Sequence, residues 1–511
     1  MCWQPMCWDC LNLRSVRRAD DTGMTEAKRV IPIEPEATGD SGGLFSLYAS
    51  HGKIYPRTVS GRFARLRWLA VIFTQLIFYG LPWLSWNGRP AVLFDLTARK
   101  FYLFGWVLWP QDFIYLAGLL VIAALSLFFF TAVAGRLWCG YACPQTVYTE
   151  IFMWVERRIE GDRVAQMKLD AAPWSARKLG LKALKHAAWI ALALFTGFTF
   201  IGYFAPIREL AGHITAFTLG PWQLFWWLFY SFATWGNAGF MREQVCKYMC
   251  PYARFQSVMV DKDTFLVTYD TVRGDPRGSR SKSENHLANG LGDCVDCSIC
   301  VQVCPTGIDI RDGLQYMCIG CGACIDACNQ VMDKMQYPRG LIRYTSERAM
   351  LERAPQETAV RRIFRPRIIF YTAVIAILTT AFLASLATRN PLRADVMRDR
   401  GALAREVDGA RIENVYRIQV MNASENALQV NFKVTGLPNL EILSSQGRPL
   451  RDILIEPSSN QLIPIRVSAP LGEMNPGNYP IHFEVEGLEL SKGKDNVIRL
   501  RDEKSSFIVP R

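Results

Sequence analysis

Five stretches of this 511-residue chain are long, apolar and uncharged, and they constrain its fold more than any other feature. Trp68–Trp86, Phe113–Gly135, Ala187–Pro206, Pro221–Met241 and Ile368–Thr388 contain no Asp, Glu, Lys or Arg. Each has about the 20 residues that a helix needs to cross the core of a bilayer. One such run can be a buried core helix, but five in one chain predict a membrane domain. They explain why 50% of the residues are hydrophobic and why there are 15 Trp. The fourth run is the least sharply bounded, because uncharged sequence already begins at Ile214.

Basic residues predict the orientation. Arg62, Arg65 and Arg67 precede the first run, and Arg157, Arg158, Arg163, Lys168, Arg177, Lys178, Lys182 and Lys185 separate the second from the third. Arg361, Arg362, Arg365 and Arg367 precede the fifth, whereas residues 207–220 carry only Arg208. With the N-terminus inside, every dense cluster is cytoplasmic and the C-terminal region lies outside. The net charge of +12 sits almost wholly before residue 388, since residues 388–511 hold 17 Lys+Arg against 16 Asp+Glu. This balance reads as positive-inside topology and attraction to a lipid surface, not as nucleic-acid binding. No cleavable signal peptide is recognised.

Of 15 cysteines, eight form a tandem pattern. Cys294-x-x-Cys297-x-x-Cys300-x-x-x-Cys304-Pro305 is followed by Cys318-x-x-Cys321-x-x-Cys324-x-x-x-Cys328. Each half is a bacterial iron–sulfur run, in which three thiolates come from one tight loop and the fourth from the other half. The pattern therefore predicts two [4Fe–4S] clusters. Cluster I takes Cys294, Cys297, Cys300 and Cys328; cluster II takes Cys304, Cys318, Cys321 and Cys324. Zinc is the competing reading of Cys-x-x-Cys pairs, but four cysteines per half and the closing Cys-Pro disfavour it. Asn329 stands where a second Pro would follow Cys328. No cysteine lies after Cys328, so all are placed on the reducing side of the predicted topology.

A second internal repeat follows the second and fourth runs. Arg136-Leu-Trp-Cys139-Gly-Tyr-Ala-Cys143-Pro144 matches Arg242-Glu-Gln-Val-Cys246-Lys-Tyr-Met-Cys250-Pro251. Cysteines four apart share a face of a helix, so each pair is expected to aim two sulfurs at one site, with Pro breaking the helix beyond. Soft thiolates select Cu(I), zinc or iron–sulfur chemistry. Arg136, Arg242 and Lys247 are expected to favour thiolate, and Met249 adds a thioether. Inert buried cysteines, a bound cluster or a redox-active disulfide pair are the alternatives.

Residues 411–511 change character. Partly alternating runs such as Leu428-Gln-Val-Asn-Phe-Lys-Val and Tyr479-Pro-Ile-His-Phe-Glu-Val, divided by Asn, Gly, Pro and Ser, predict about seven strands. That rhythm suggests an immunoglobulin-like β-sandwich. Met421, Met474 and His482 read as packing or surface residues, not copper ligands. His186 and His213 read as capping or surface groups, not partners of a quinone oxygen. Cys2, Cys7 and Cys10, before Met24, read as part of an upstream start or an extension, not as a metal-binding tail.

The predicted organisation is a multidomain membrane protein. An N-terminal cytoplasmic tail (1–67) leads to four spans (68–86, 113–135, 187–206, 221–241). A cytoplasmic region (242–367) follows, with an α+β two-cluster ferredoxin-like insert at 290–340. The fifth span (368–388), a partly helical linker (389–410) and the all-β domain complete the chain.

Several stretches resemble the CcoG/FixG (RdxA) family of cytochrome c oxidase accessory proteins: Lys53-Ile-Tyr-Pro-Arg, Ala98-Arg-Lys-Phe-Tyr, both Cys-x-x-x-Cys-Pro motifs, Gly292-Asp-Cys294-Val-Asp-Cys297 and Cys304-Pro-Thr-Gly-Ile-Asp-Ile. The resemblance covers roughly residues 44–511. It implies a five-span bacterial inner-membrane protein with two [4Fe–4S] clusters and a periplasmic immunoglobulin-like domain. It also implies a role in assembling cbb3-type cytochrome c oxidase by reducing Cu(II) to Cu(I) at Cys139, Cys143, Cys246 and Cys250. Partners would be oxidase subunits, copper transporters or chaperones, and an electron donor that the sequence does not name. A quinol-oxidising membrane ferredoxin and a non-catalytic assembly scaffold are the competing functions. No Gly-rich nucleotide loop supports NAD(P)H or flavin binding.

Overall fold

The computed structural model describes residues 53–282, 284, 288–353, 362–399, 404–407, 411–470, 475–489 and 496–510. The readings of Cys2, Cys7, Cys10, Met24 and Met474 fall outside these residues. Among the described residues, nine α-helices build the first half: α1 (Arg62–Gly80), α2 (Phe113–Ala134), α3 (Leu137–Tyr141), α4 (Pro144–Glu160), α5 (Arg163–Ala171), α6 (Ala176–Ile201), α7 (Ile207–Thr215), α8 (Pro221–Thr234) and α9 (Pro251–Met259).

Among the described residues, four helical segments are long and apolar enough to cross a membrane: Arg62–Trp83, Pro110–Ala134, Ala176–Ile201 and Pro366–Ala387. Their apolar side chains point outward, as Phe73 and Leu76 of α1, Ile114 and Leu120 of α2, and Ile377 of the last helix show; water would penalise such a surface and lipid would not. The third begins well before the predicted Ala187. Ser175 caps it by accepting from Lys178 N at 3.2 Å, and the Lys178 ammonium turns back to Asp170 O and Ala172 O. The fourth predicted run differs more. Its α-helical part, α8, has 14 residues, about 21 Å of rise, and the chain continues as a π-helix over Trp235–Met241. Gly239 lies in that segment, where a Cβ would stand 3.1 Å from the Trp189 ring. The wider turn thus brings the backbone against α6.

The cysteine-rich region is an α+β unit. Strands Leu266–Tyr269 and Ile342–Thr345 pair antiparallel and bracket it, while Ile299–Gln302 and Ala323–Met335 supply its helices. Val267, Tyr269, Leu341 and Ile342 share its core with Cys294 and Cys300, so the unit is wider than 290–340. Asn329 lies inside the second helix, where Pro would remove a helical hydrogen bond, and its Oδ1 accepts from Gly340 N at 3.0 Å.

The C-terminal region is a two-sheet sandwich. One sheet runs in the order Glu441–Ser444, Asn460–Pro470, Arg411–Asn422, Leu392–Arg398, with Arg405–Val407 beside the third. The other runs Ile453–Ile455, Leu428–Thr435, Gly477–Glu489, Asn496–Val509. Ile418, Val420, Val430, Ile465, Phe483 and Phe507 are fully buried between them. The expected helical linker is corrected here. Leu392 and Ala394 are buried while Arg393 and Asp395 are not, a period-two pattern that makes this segment a strand of the sandwich.

Polar contacts join the sandwich to the loops around α1 and α2. Glu425 accepts from Trp86, Asn87 and Arg89, and Lys100 donates to Ser458 O at 2.8 Å. The buried Asp112 carboxylate, just before α2, pairs with Arg389 and, at 2.8 Å, Arg393. The cysteine-rich unit packs at the opposite end of α1, where Asp326 accepts from Phe63 N and, at 2.8 Å, Ala64 N. A carboxylate from another unit thereby caps the helix N-terminus.

Candidate metal and redox centres

The two cysteine loops fold alike. In each, the second and fourth residues after the first Cys are left-handed: Asp296 and Ser298 in one, Gly320 and Gly322 in the other. The second loop carries glycine because a helix end presses on it. A Cβ on Gly322 would stand 2.7 Å from the Phe63 ring, and one on Gly320 would stand 3.4 Å from the Arg136 backbone. The first loop faces outward, and Cys297 is exposed.

Two cavities lie in these loops. One is lined by Cys294, Cys297, Cys300 and Cys328; the other by Cys304, Cys318, Cys321 and Cys324, with Cys300 between the two. The structure therefore gathers the crossed quartets. Burial, reinforced by neighbouring thiols, pushes Cys318 and Cys328 up to about 12. Burial does the same to Cys300, opposed by Arg311. Backbone N–H groups of Gly320, Ala323 and Ile342 donate to Cys318, Cys321 and Cys328. Such amides stabilise negative sulfur, and burial makes its formation depend on bound positive metal. Among the described residues, no three His, Cys, Asp or Glu side chains are arranged to hold one metal ion. Two sulfur quartets lining separate cavities match the tandem run's pattern for two iron–sulfur clusters.

The twin Cys-x-x-x-Cys-Pro motifs also repeat in three dimensions. The second run's helix ends at Gly135 (φ 55°, ψ −114°) and the fourth at Arg242 (φ 39°, ψ −112°). Four residues on, Cys139 lies in α3 and Cys246 in a π-helical turn, Val245–Met249. After four more, Cys143 and Cys250 are extended and precede Pro144 and Pro251, the first residues of α4 and α9. This corrects the expectation of two sulfurs on one helical face. Proline is here the preorganised first residue of a new helix, and each pair straddles the break before it.

The four thiols nonetheless lie within electrostatic reach of one another. Cys139 feels the charge of Cys143 and Cys250, and Cys246 that of the other three. Arg136 opposes the effect, but burial dominates and pushes Cys139 up to about 11 and Cys246 to about 12. Burial thus outweighs the expected effect of the neighbouring cations at Cys139 and Cys246. Arg242 is committed elsewhere, with Nη2 2.7 Å from Glu156, and Lys247 is buried. Met249 is exposed and lines an open groove with Cys250, Arg254 and Phe255.

Sequence reasoning missed Gln256. Fully buried on α9, it donates from Nε2 to Cys139 Sγ at 3.5 Å and links the two motifs. It also missed the contact between centres. A Cβ on Gly140 would lie 2.8 Å from Ile319 O and 3.0 Å from Cys321 Cα, so α3 rests on the Cys318–Cys324 loop. A cleft between them is lined by Arg67, Tyr141, Cys246, Pro305 and Cys321. The other candidates stay apart. His186 stacks on Phe240 and meets Trp189 edge-on, so it packs among aromatic rings and does not cap α6. His213 bonds Thr218 Oγ1 at 3.0 Å beside the end of α7. Met421 is buried in the sandwich, and His482 pairs in register with Thr435 and Lys504.

Comparison with known proteins agrees with this architecture. Residues 241–347 match a model described as a 4Fe-4S dicluster domain, and residues 116–162 a 4Fe-4S binding domain. Residues 382–510 match the IG-like fold at the C-terminus of FixG. The chain is 40% identical over 434 residues to Protein RdxA of Cereibacter sphaeroides, covering 83% of this chain and 91% of the relative. It is 38% identical over 459 residues to Nitrogen fixation protein FixG of Rhizobium meliloti, covering 83% and 87%. It is 39% identical over 439 residues to Protein RdxB of C. sphaeroides, covering 84% and 91%. With apolar helices, crossed cysteine quartets and a terminal sandwich in one chain, and relatives alike over nearly their full length, the protein is a membrane iron–sulfur redox protein belonging to the FixG/RdxA family.

Proposed function

We propose that this protein is a cupric reductase of the bacterial inner membrane, carrying electrons through two [4Fe–4S] clusters to Cys139, Cys143, Cys246 and Cys250 for cbb3-type oxidase assembly. The observation that carries this reading is the seating of Gly140, beside Cys139, on the Cys318–Cys324 loop. Cluster I is assigned to Cys294, Cys297, Cys300 and Cys328, and cluster II to Cys304, Cys318, Cys321 and Cys324. When bound, the clusters supply one-electron storage and transfer. Cys297 offers the exposed end for a donor, and α3 forms the contact at the other end. The four membrane-face sulfurs receive Cu(II) as substrate. Cu(II) prefers nitrogen and oxygen in a tetragonal field, whereas Cu(I) prefers sulfur. A sulfur site therefore stabilises the product, Cu(I), over Cu(II), and one electron per ion completes the reaction. Gln256 holds Cys139 in position. Burial disfavours bare thiolates, so proton release accompanies metal binding.

In this reading α8 and its π-helical extension form a fifth span. The cysteine centres then face the cytoplasm and the sandwich faces the periplasm, where oxidase subunits or copper chaperones would meet it. The test is anaerobic mixing of dithionite-reduced protein, freed of excess dithionite, with Cu(II). Cluster absorbance should return to its oxidised form as Cu(I) appears, one ion per electron lost. Clusters that stay reduced under excess Cu(II) would overturn the reading.

A further inference from the structure

The two quartets lie in opposite electrostatic surroundings. The Cys318–Cys324 loop sits against two buried arginines, Arg67 of α1 and Arg136 after α2. Arg67 lines the same cleft as Cys321, and the charge of each reaches the other. Among the described residues, no carboxylate is within ion-pair distance of it. Glu150, whose charge reaches it, is paired with Arg157 at 3.3 Å. Arg136 gives Nη2 to Ala253 O at 2.5 Å, and its charge reaches Cys318. The other quartet has Arg311 beside Cys300, but that cation lies between Asp309 at 2.6 Å and Asp296 at 2.5 Å. Among the described residues, the inner quartet thus faces two cations with no carboxylate at ion-pair distance, and the outer one faces a cation matched by two carboxylates.

Reduction adds one negative charge to a cluster. Buried positive charge and hydrogen bonds to sulfur stabilise that charge and raise the reduction potential. We propose that Arg67, assisted by Arg136, sets the potential at Cys304, Cys318, Cys321 and Cys324 above that at Cys294, Cys297, Cys300 and Cys328. The inference rests on the reading of both quartets as [4Fe–4S] sites. An electron entering near exposed Cys297 then moves inward: the outer site is oxidised by one electron, the inner site is reduced by one, and no proton moves. Arginine keeps its charge throughout. Arg67 is a positioning residue here, acting on copper only through the potential of the inner site.

The test is an EPR-monitored redox titration of the full-length protein in detergent, without copper, for wild type, Arg67→Met, Arg67→Lys and Arg136→Gln. Two one-electron steps are expected. In Arg67→Met the upper step should fall, cutting the reduced-to-oxidised ratio at the wild-type midpoint at least tenfold, or 59 mV, with the lower step in place. Arg67→Lys should retain most of the wild-type value. If Arg67→Met loses its clusters, Arg136→Gln carries the comparison and should lower the upper step alone. Steps that stay in place, or that move together, overturn the proposal. Because copper is absent, the outcome is independent of cupric reductase activity.

Discussion

Glu156 shows how a residue far from any cysteine in the sequence shapes the site. It is 1% exposed and pairs with Arg242 at 2.7 Å, Lys53 at 3.2 Å and Lys185 at 3.4 Å. Burial alone would raise its pKa, but Arg242 and Lys53 outweigh burial and hold the carboxyl at about 2, below its usual 4.5. A depressed carboxyl contributes stability that is full above pH 4.5 and is lost as pH falls through 2. Glu156→Gln leaves buried cations unpaired and is expected to destabilise the fold by about 3–5 kcal/mol. Thermal melts in detergent should show this loss at pH 7 and a narrower gap from wild type at the acid end of that window. The sequence hides this role, because Lys53, Lys185 and Arg242 are scattered and Glu156 reads as part of a basic loop. The twelve described cysteines stood out, because their spacing is written in the chain itself. Arg67 was legible only as positive-inside charge, because its contact with Cys321 arises from packing.

At the scale of elements, α3 is the hinge between the centres. Gly140 has no room for a side chain against Ile319 O. Gly140→Val is therefore expected to lift α3 from the Cys318–Cys324 loop, keeping iron content and cluster absorbance while slowing Cu(II)-driven reoxidation more than tenfold. An unchanged rate in stopped-flow absorbance would remove this contact from the electron route. The motifs were readable as a repeat, but their shape was not. Spacing of four suggests one helical face, whereas Pro144 and Pro251 each begin a new helix and leave the preceding Cys extended. The fourth apolar run has a similar history: composition marks it as long enough to span, yet Gly239 packing on Trp189 accompanies a π-helical end.

At the scale of the whole molecule, apolar runs, cysteine repeats and strand rhythm were enough to order the chain into membrane, cluster and β units. What escaped was the joinery. Leu392–Arg398 is too charged to read as a strand until the sandwich buries alternate residues, and the Glu425 and Asp112 contacts link segments hundreds of residues apart. Asp112→Ala strands Arg389, whose side chain is 8% exposed, and is expected to loosen the attachment of the sandwich. Hydrogen exchange around residues 389–398 should quicken in that variant while the cysteine-rich unit keeps its protection. Equal exchange in both proteins would mean that Asp112 does not hold this junction.

The central claim is that electrons leave through the four membrane-face cysteines. Stopped-flow absorbance of reduced wild type and Cys246→Ala/Cys250→Ala, mixed anaerobically with Cu(II), tests it most directly. Fast cluster reoxidation with Cu(I) formation in wild type, lost in the double variant at unchanged iron content, is the predicted result. Equal rates in the two proteins would contradict it and move the exit for electrons away from this site.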